Sequence, residues 1–448
     1  MRKLLLFSFL TLTLVAQAKN FEYAGYLKSE VWSKINNDNS HLFLSSFKNT
    51  FDLETEFKLS ENLTFFFHPR FFYDLAYEVR NQDIFDKNED KMARVRRTYW
   101  LRDCYLDYTS DKLDVRIGKQ QVVWGQTDGL PILDRVQPFD LTYFWLPDFA
   151  DIRIPLWMIK VEYSPQLNST LQFLLIPDFE ASRAAQADAP FSFKARNEFE
   201  AIKDRYGLKT RVEYPAQKFR NSRIGLRWRS IIEDFEYSLH WLYGYSTGTY
   251  TYRDDAINYV KRAKLMHLIG FAFNKTFLNP GLFQGLTMRG EFAYLHNEPA
   301  YYGTEGSRKL TERTDKYLYA LAFERTFFTN WLFSLQFIQY IHNERTKADK
   351  SGNVYQILDK YTYGVMDKVE NIFTLKVVTD FMHERLKPEI LIIYLDDNDG
   401  RISFKTKYEL KDNIWLTFGY YHFWGPPRGS NGQFRNNDHF FCEVKYTF

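Results

Sequence analysis

"FKNTFDLETEFKLS", Phe47–Ser60, sets Phe47, Phe51, Leu53, Thr55, Phe57 and Leu59 against Lys48, Asp52, Glu54, Glu56 and Lys58 with a period of two residues. That period belongs to the β-strand, whose successive side chains leave from opposite faces. One face is apolar and aromatic and the other is charged, so the strand divides a greasy phase from a wet one. "GRISFKTKYEL", Gly400–Leu410, sets Ile402, Phe404, Tyr408 and Leu410 against Arg401, Lys405, Lys407 and Glu409, and "LWMIKVEY", Leu156–Tyr163, alternates in the same way. The pattern recurs about eighteen times. It predicts an all-β fold, an antiparallel transmembrane β-barrel of about 18 strands (16–18) with apolar residues outward and charged residues lining a wet lumen.

The connections support that fold. Tight turns are expected near Ser60-Glu61, Ser110-Asp111, Gln166-Leu167, Glu233-Asp234, Asn279-Pro280, Thr329-Asn330, Glu384-Arg385 and Lys411-Asp412. Between them lie long loops near 34–42, 79–96, 125–155, 178–219, 247–257, 298–313, 342–366 and 425–437, with one short exception at Asn398-Asp399-Gly400. Short turns on one rim and long loops on the other are the asymmetry of outer-membrane barrels, and they place both termini on the periplasmic side. The last strand, "FFCEVKYTF", Phe440–Phe448, ends on an aromatic residue and resembles the C-terminal signal read by the barrel-insertion machinery. At the start, Arg2 and Lys3, the apolar Leu4–Val15 and Ala16-Gln17-Ala18 form an export signal, giving a signal peptide at 1–18 and one barrel domain at 19–448.

Composition agrees. The 448 residues are 45% hydrophobic and 19% aromatic, with 42 Phe, 31 Tyr and 10 Trp, yet 26% are charged, and the mean hydropathy is −0.44. Basic and acidic residues nearly balance, at 59 and 56, which gives no sign of nucleic-acid binding. Cys104 and Cys442 fall on strands that are not neighbours, so the chain relies on a closed ladder of hydrogen bonds, not on cross-links. Outer-membrane lipid is the expected surrounding partner.

Motifs of catalysis and metal binding do not survive inspection. "GYSTG", Gly244–Gly248, matches the nucleophile elbow of hydrolases, but the elbow needs a helix after the serine and a strand running into a loop is expected here. "DDNDG", Asp396–Gly400, opens like a calcium loop without the closing acidic ligand, and Asp399-Gly400 reads as a hairpin turn. His383-Glu384 begins an H-E-x-x-H pattern that Lys387 breaks. No enzyme activity, cofactor or metal is expected from these patterns.

The lumen is the expected site. Arg223, Arg227 and Arg229 share one strand face, and Arg289 and Glu291 another. Such charges either pair across the barrel for structure or set the field that selects a solute. The strand ending "RIGKQQVVWGQTDG", Arg116–Gly129, carries Arg116, Gln120 and Trp124 on its inner side and runs into a segment at 125–155. That segment holds Leu130, Ile132, Leu133, Phe139, Tyr143, Phe144, Trp145 and Phe149 beside Pro131, Pro138, Pro147 and Pro155. Its unpaired backbone excludes it from lipid and its apolarity from free water. It is therefore expected to fold inward as a constriction, with Gln126, Asp128, Asp134, Arg135, Asp148, Asp151 and Arg153 meeting wall charges and solute.

Gly118, Gln120, Val122 or Val123, Trp124 and Gly125, then Val136-Gln137-Pro138-Phe139-Asp140, then Pro155-Leu156-Trp157, resemble a motif set of a family of Gram-negative outer-membrane barrels of unknown function. Gln137 stands where that family has Asn. The resemblance covers about fifty residues, and beyond them only the barrel pattern agrees. It implies a channel or transport component, more distantly like alginate-export porins, with some members working beside inner-membrane transporters on lipids. A channel for a small or amphipathic solute is the first expectation, a lipid-transport component with an inner-membrane partner the second, and a lipid-acting barrel enzyme or an adhesin the remaining alternatives.

Overall fold

A computed structural model describes residues 20–35, 42–76, 101–187, 189–253, 257–298, 300–304, 307–311, 315–343, 369–427 and 429–448. The signal at 1–18 and parts of the loops near 34–42, 79–96, 247–257, 298–313, 342–366 and 425–437 lie outside these residues. The wall strands are β1 (Asn20–Ile35), β2 (Leu42–Lys58), β3 (Leu63–Asp74), β4 (Leu101–Thr109), β5 (Leu113–Gln120) and β6 (Leu156–Gln166). They continue as β7 (Ser169–Ile176), β8 (Arg223–Ile232), β9 (Phe235–Tyr245), β10 (Leu265–Thr276), β11 (Leu286–His296) and β12 (Lys316–Phe327). The last six are β13 (Trp331–His342), β14 (Val369–Val378), β15 (Leu386–Leu395), β16 (Asp399–Lys411), β17 (Ile414–Trp424) and β18 (Asp438–Thr447).

These form one 18-stranded antiparallel sheet in which each strand pairs with its chain neighbour. β1 also pairs with β18, from Tyr26 opposite Thr447 to Ile35 opposite Asp438, and this closes the barrel. Closure leaves no edge, so each wall strand has a ladder partner on both sides. Among the described residues no helix is long and apolar enough to cross a membrane. The tight turns sit on one rim where the sequence places them, several with a residue in the left-handed region, such as Glu233 (φ 56°), Thr329 (φ 80°) and Asn413 (φ 69°). Cys104 and Cys442, both free, lie on β4 and β18, which do not pair.

The outward face is apolar all round: Leu27, Phe51, Ile117, Ile269, Phe373 and Phe404 are each exposed. The inward face divides into two arcs. From β7 to β15, Leu174, Leu242, Leu268, Leu295, Leu318, Ile338, Ile372 and Ile393 point inward and are buried. From β16 through β18 and on to β4 the inward residues include Lys405, Glu443, Lys28, Glu30, Lys48, Asp52, Arg70 and Asp103, joined in ion pairs such as Lys28–Glu30 at 3.0 Å, and toward the loop rim Trp32, Tyr421 and Phe441, which pack with Phe144 and Phe191 of the loops. The uniformly charged lumen of the sequence reading is thus corrected. The first arc is not wet, because a loop lies on it.

Two local readings also change. Asp399 and Gly400 belong to β16, opposite Leu395 and Tyr394, and the turn is the single 3-10 turn Asp396–Asn398. Asp399 instead accepts the backbone N–H groups of Asn431 (3.1 Å) and Gly432 (2.7 Å), tying down the loop after β17. The loop after β7 contains a 13-residue helix, Lys194–Tyr206, which strand periodicity did not foresee.

Candidate functional site

The segment between β5 and β6 enters the barrel and touches wall strands on both arcs, from β1 round to β17. Its entry is set by amides. The Gln137 side chain accepts from Val122 N–H at 3.0 Å and donates to Gln120 C=O at 2.9 Å, doing for the end of β5 what a neighbouring strand would do. Gln120 itself is buried, and its amide donates to Met158 C=O at 3.2 Å. This accounts for an amide in the Val136–Asp140 turn. Trp124 is buried with its indole N–H on Gln172 Oε1 at 2.7 Å and its ring edge-on to His240.

Deeper in, Glu291 is the seat. Its carboxylate accepts the backbone N–H groups of Gln126 and, at 3.1 Å, Leu133, so one buried acid satisfies two segment donors. Arg289 donates to Gln126 C=O and pairs with Asp128 and Glu324. Asp128 also meets Lys376 at 3.4 Å, near the turn-rim end of β14, so the segment reaches far down the lumen. Gln336 clasps the Asp128 backbone in the manner of Gln137, accepting its N–H at 3.2 Å and donating to its C=O at 3.0 Å.

Between these polar ties, Ile132, Leu133 and Val136 are fully buried against the apolar arc. Gly270 makes room for them: a Cβ there would stand 2.2 Å from Leu133 Cδ2. Arg223, buried in β8, donates to Val136 C=O at 2.5 Å and Arg135 C=O at 2.8 Å. Asp134 pairs with Arg153 at 2.6 Å inside the segment, joining its two limbs. Arg135 donates to the segment's own carbonyls, Ile132 and Pro131.

The returning limb faces the charged arc. Tyr143 donates to Asp74 at 2.8 Å, and Arg401 to Trp145 C=O at 3.4 Å. Phe139, Trp145 and Phe149 pack ring against ring. Asp148 pairs with Lys405 at 3.1 Å and keeps 63% of its side chain exposed. In the single helical turn Phe149–Ile152, Asp151 pairs with Arg70 at 2.7 Å, while Arg102 holds the Ala150 and Asp151 carbonyls. Its place inside the barrel pushes the Asp151 carboxyl up, but Arg70, Lys28 and Arg102 outweigh this and hold it below the usual carboxylate range.

Most of the residues singled out in the sequence therefore meet around this segment, as anchors. Two do not. Arg116 pairs with Asp107 at 2.6 Å over the Tyr105 ring, and Arg229 pairs with Glu236 at 2.6 Å on the wall. Arg227 reaches Val123 C=O at 3.2 Å and Glu162 at 3.7 Å. The expectation that all three arginines of β8 face water fails at Arg223, which is 2% exposed because the segment covers it. Ser246 is buried and no helix follows β9, so the elbow motif has no elbow. Of the charged arc partners, the sequence singles out neither Arg70 nor Asp74, and it shows Lys405 only as a charged-face residue of its strand. Their strands show the alternation, but which loop they meet is a tertiary fact.

Residues 14–448 match a family described as "Protein of unknown function (DUF1302)". No curated protein sequence matches the chain. Among solved structures, the fold is similar to OccAB1 of Acinetobacter baumannii, with 10% identity and a TM-score of 0.55 over 96% of this chain and 97% of that one. It is similar also to OccAB3 of the same organism, with 11% identity and a TM-score of 0.53 over 96% and 99%. A BenF-like porin from Pseudomonas fluorescens Pf-5 gives 9% identity and a TM-score of 0.55 over 96% and 99%. At these identities the likeness is one of fold.

Proposed function

The chain belongs to the DUF1302 family, and we propose that it is an outer-membrane channel for a small or amphipathic solute, with residues 125–155 as the lumenal constriction. The signal at 1–18 would export it and the β18 terminus would engage the insertion machinery. In this reading the loop rim is extracellular and the turn rim periplasmic. One observation carries the proposal: the segment is seated on the apolar arc by Ile132, Leu133 and Val136 and turns Asp148 and Asp151, 63% and 38% exposed, toward the charged arc. A solute path between the segment and that arc would be lined by fixed charges of both signs. That the neighbours include a protein named as a porin agrees with this.

Single-channel recording in planar bilayers tests it. The intact barrel should conduct, and replacing Leu130 to Ala150 with a short Gly-Ser linker should raise conductance several-fold, an order-of-magnitude expectation for widening the narrowest section. An inserted barrel whose conductance ignores the replacement would remove the segment from the path. A second reading, a component of a lipid or hydrophobic-compound transport system working with an inner-membrane transporter, is favoured by the apolar arc. If the segment lifts, that arc offers a greasy wall to an apolar body.

A further inference from the structure

β2, β3 and β4 place three ligand-type side chains in one row on the charged arc. His68 stands opposite Asp103 in the β3–β4 ladder. The β2–β3 register, which sets Asp52 opposite Arg70 and Thr55 opposite Phe67, puts Glu54 opposite His68. Beside the row the β3–β4 register shifts between His68 and Pro69, where proline has no N–H to give the ladder.

The imidazole is buried, with Nε2 2.9 Å from Asp52 Oδ2. Nδ1 faces the other way, 3.3 Å from Asp103 Oδ2 and 3.8 Å from Glu54 Oε1. The ligand atoms of Asp52, Glu54 and His68 all lie within 4.8 Å of one another. Asp103 stands on Nδ1 and orients the ring, while Arg70 Nε fixes Asp52 beside Nε2. A carboxylate on one ring nitrogen, with the other turned toward further oxygen donors, is the arrangement by which proteins orient a metal-binding histidine. Two ligands bound at about 2.1 Å to a tetrahedral ion stand about 3.4 Å apart, within reach of the Asp52, Glu54 and His68 atoms, which all lie within 4.8 Å of one another. Glu54 is half exposed, which gives an ion an approach from the lumen.

We propose that Asp52, Glu54 and His68 form a binding site for a divalent transition-metal ion of the Zn2+ class, with Asp103 as the positioning residue on the other ring nitrogen of His68. Mixed imidazole and carboxylate donors favour such an ion over Mg2+ or Ca2+, which take oxygen alone.

Calorimetric titration of Zn2+ into the full chain in detergent, after stripping with a chelator, reads the site directly. One ion per chain should bind, and both His68→Ala and Glu54→Gln should weaken it tenfold or more. Glu22→Gln, on a carboxylate paired with Lys58 at the start of β1, should not. Co2+ in place of Zn2+ should give a visible absorption band that His68→Ala removes. Because Glu54 is not buried, its Gln variant keeps the test independent of packing around His68. No binding of Zn2+, or binding indifferent to Glu54→Gln and His68→Ala, would overturn the site and leave the imidazole as an ion-pair partner of Asp52 and Asp103.

Discussion

The two arcs of the inner wall answer the same question in opposite ways. From β7 to β15 the wall is dry: its leucines and isoleucines are covered by Ile132, Leu133 and Val136, and the polar atoms there, Glu291, Gln336 and Arg223, are spent on segment backbone. From β16 to β4 the wall carries ion pairs, and the segment meets it through the acids Asp148 and Asp151, through Tyr143 on Asp74, and through Phe144 and Leu146 in a cluster with Trp32, Tyr421 and Phe441. The segment is fastened by burial and amides on one side and by charges together with an aromatic cluster on the other. The first side should therefore decide whether it stays, and the second what passes beside it.

Crowding the dry side should break this comparison most visibly. Gly270→Leu puts a side chain where Leu133 lies and should lift the segment, raising conductance several-fold, an order-of-magnitude figure like that for the Gly-Ser replacement. The ladder partners of Gly270, His240 and Ala293, are held through backbone, so the barrel should still close. Unchanged conductance in an assembled barrel would mean that the apolar arc is not the seat.

A smaller effect should follow from Arg223→Leu, which strands the Val136 and Arg135 carbonyls in a buried place and should loosen the segment by about 1–3 kcal/mol. Hydrogen exchange across residues 130–140 measures it. Arg229→Leu on the same strand removes only an exposed wall pair and should leave that exchange as it is. On the charged side, Lys405→Gln frees Asp148 and should shift the reversal potential toward cation preference by a modest amount with little change in conductance.

The smallest expected effect is of acid. Because the Asp151 carboxyl is held below its ordinary range, its contribution is complete above the unfolded pKa of about 4 and is lost only as pH falls through the lower folded value. The Asp151–Arg70 tie, read by hydrogen exchange of residues 149–153, should accordingly hold from pH 7 to pH 4.5. A transition within that window would assign the tie to another group.

The strands, their number, the sides of their turns and the inward fold of the loop were legible because each rests on local pattern: period two, turn residues and an apolar run with too many prolines. Phe404 outward and Lys405 inward follow from the period alone, and both are so placed. Whether an inward face is wet is a different matter. Leu242 and Leu268 alternate like any strand residue, and only the presence of Leu133 makes that side of the wall a core. Arg223 and Arg229 look equivalent in the sequence, three strand periods apart on one face, yet one is buried under the segment and the other is not. The group of Asp52, Glu54, His68 and Asp103 was hidden for the same reason. Its members sit on three neighbouring strands, and no spacing along the chain announces them.

The seam between β1 and β18 has a consequence for assembly in time. Gly25 and Phe448 exchange backbone hydrogen bonds at 3.0 Å in both directions. Every other wall pairing joins consecutive strands and can form as a hairpin or across one loop, but the seam joins the first strand to the last. Its entropic cost grows only slowly with loop length, about 0.6 kcal/mol per doubling, while the delay is large. A nascent chain presents β1 long before β18 exists, and through that interval β1 has one unpaired side, the condition in which strands find wrong partners. The period before the seam shuts is when this protein most needs an escort.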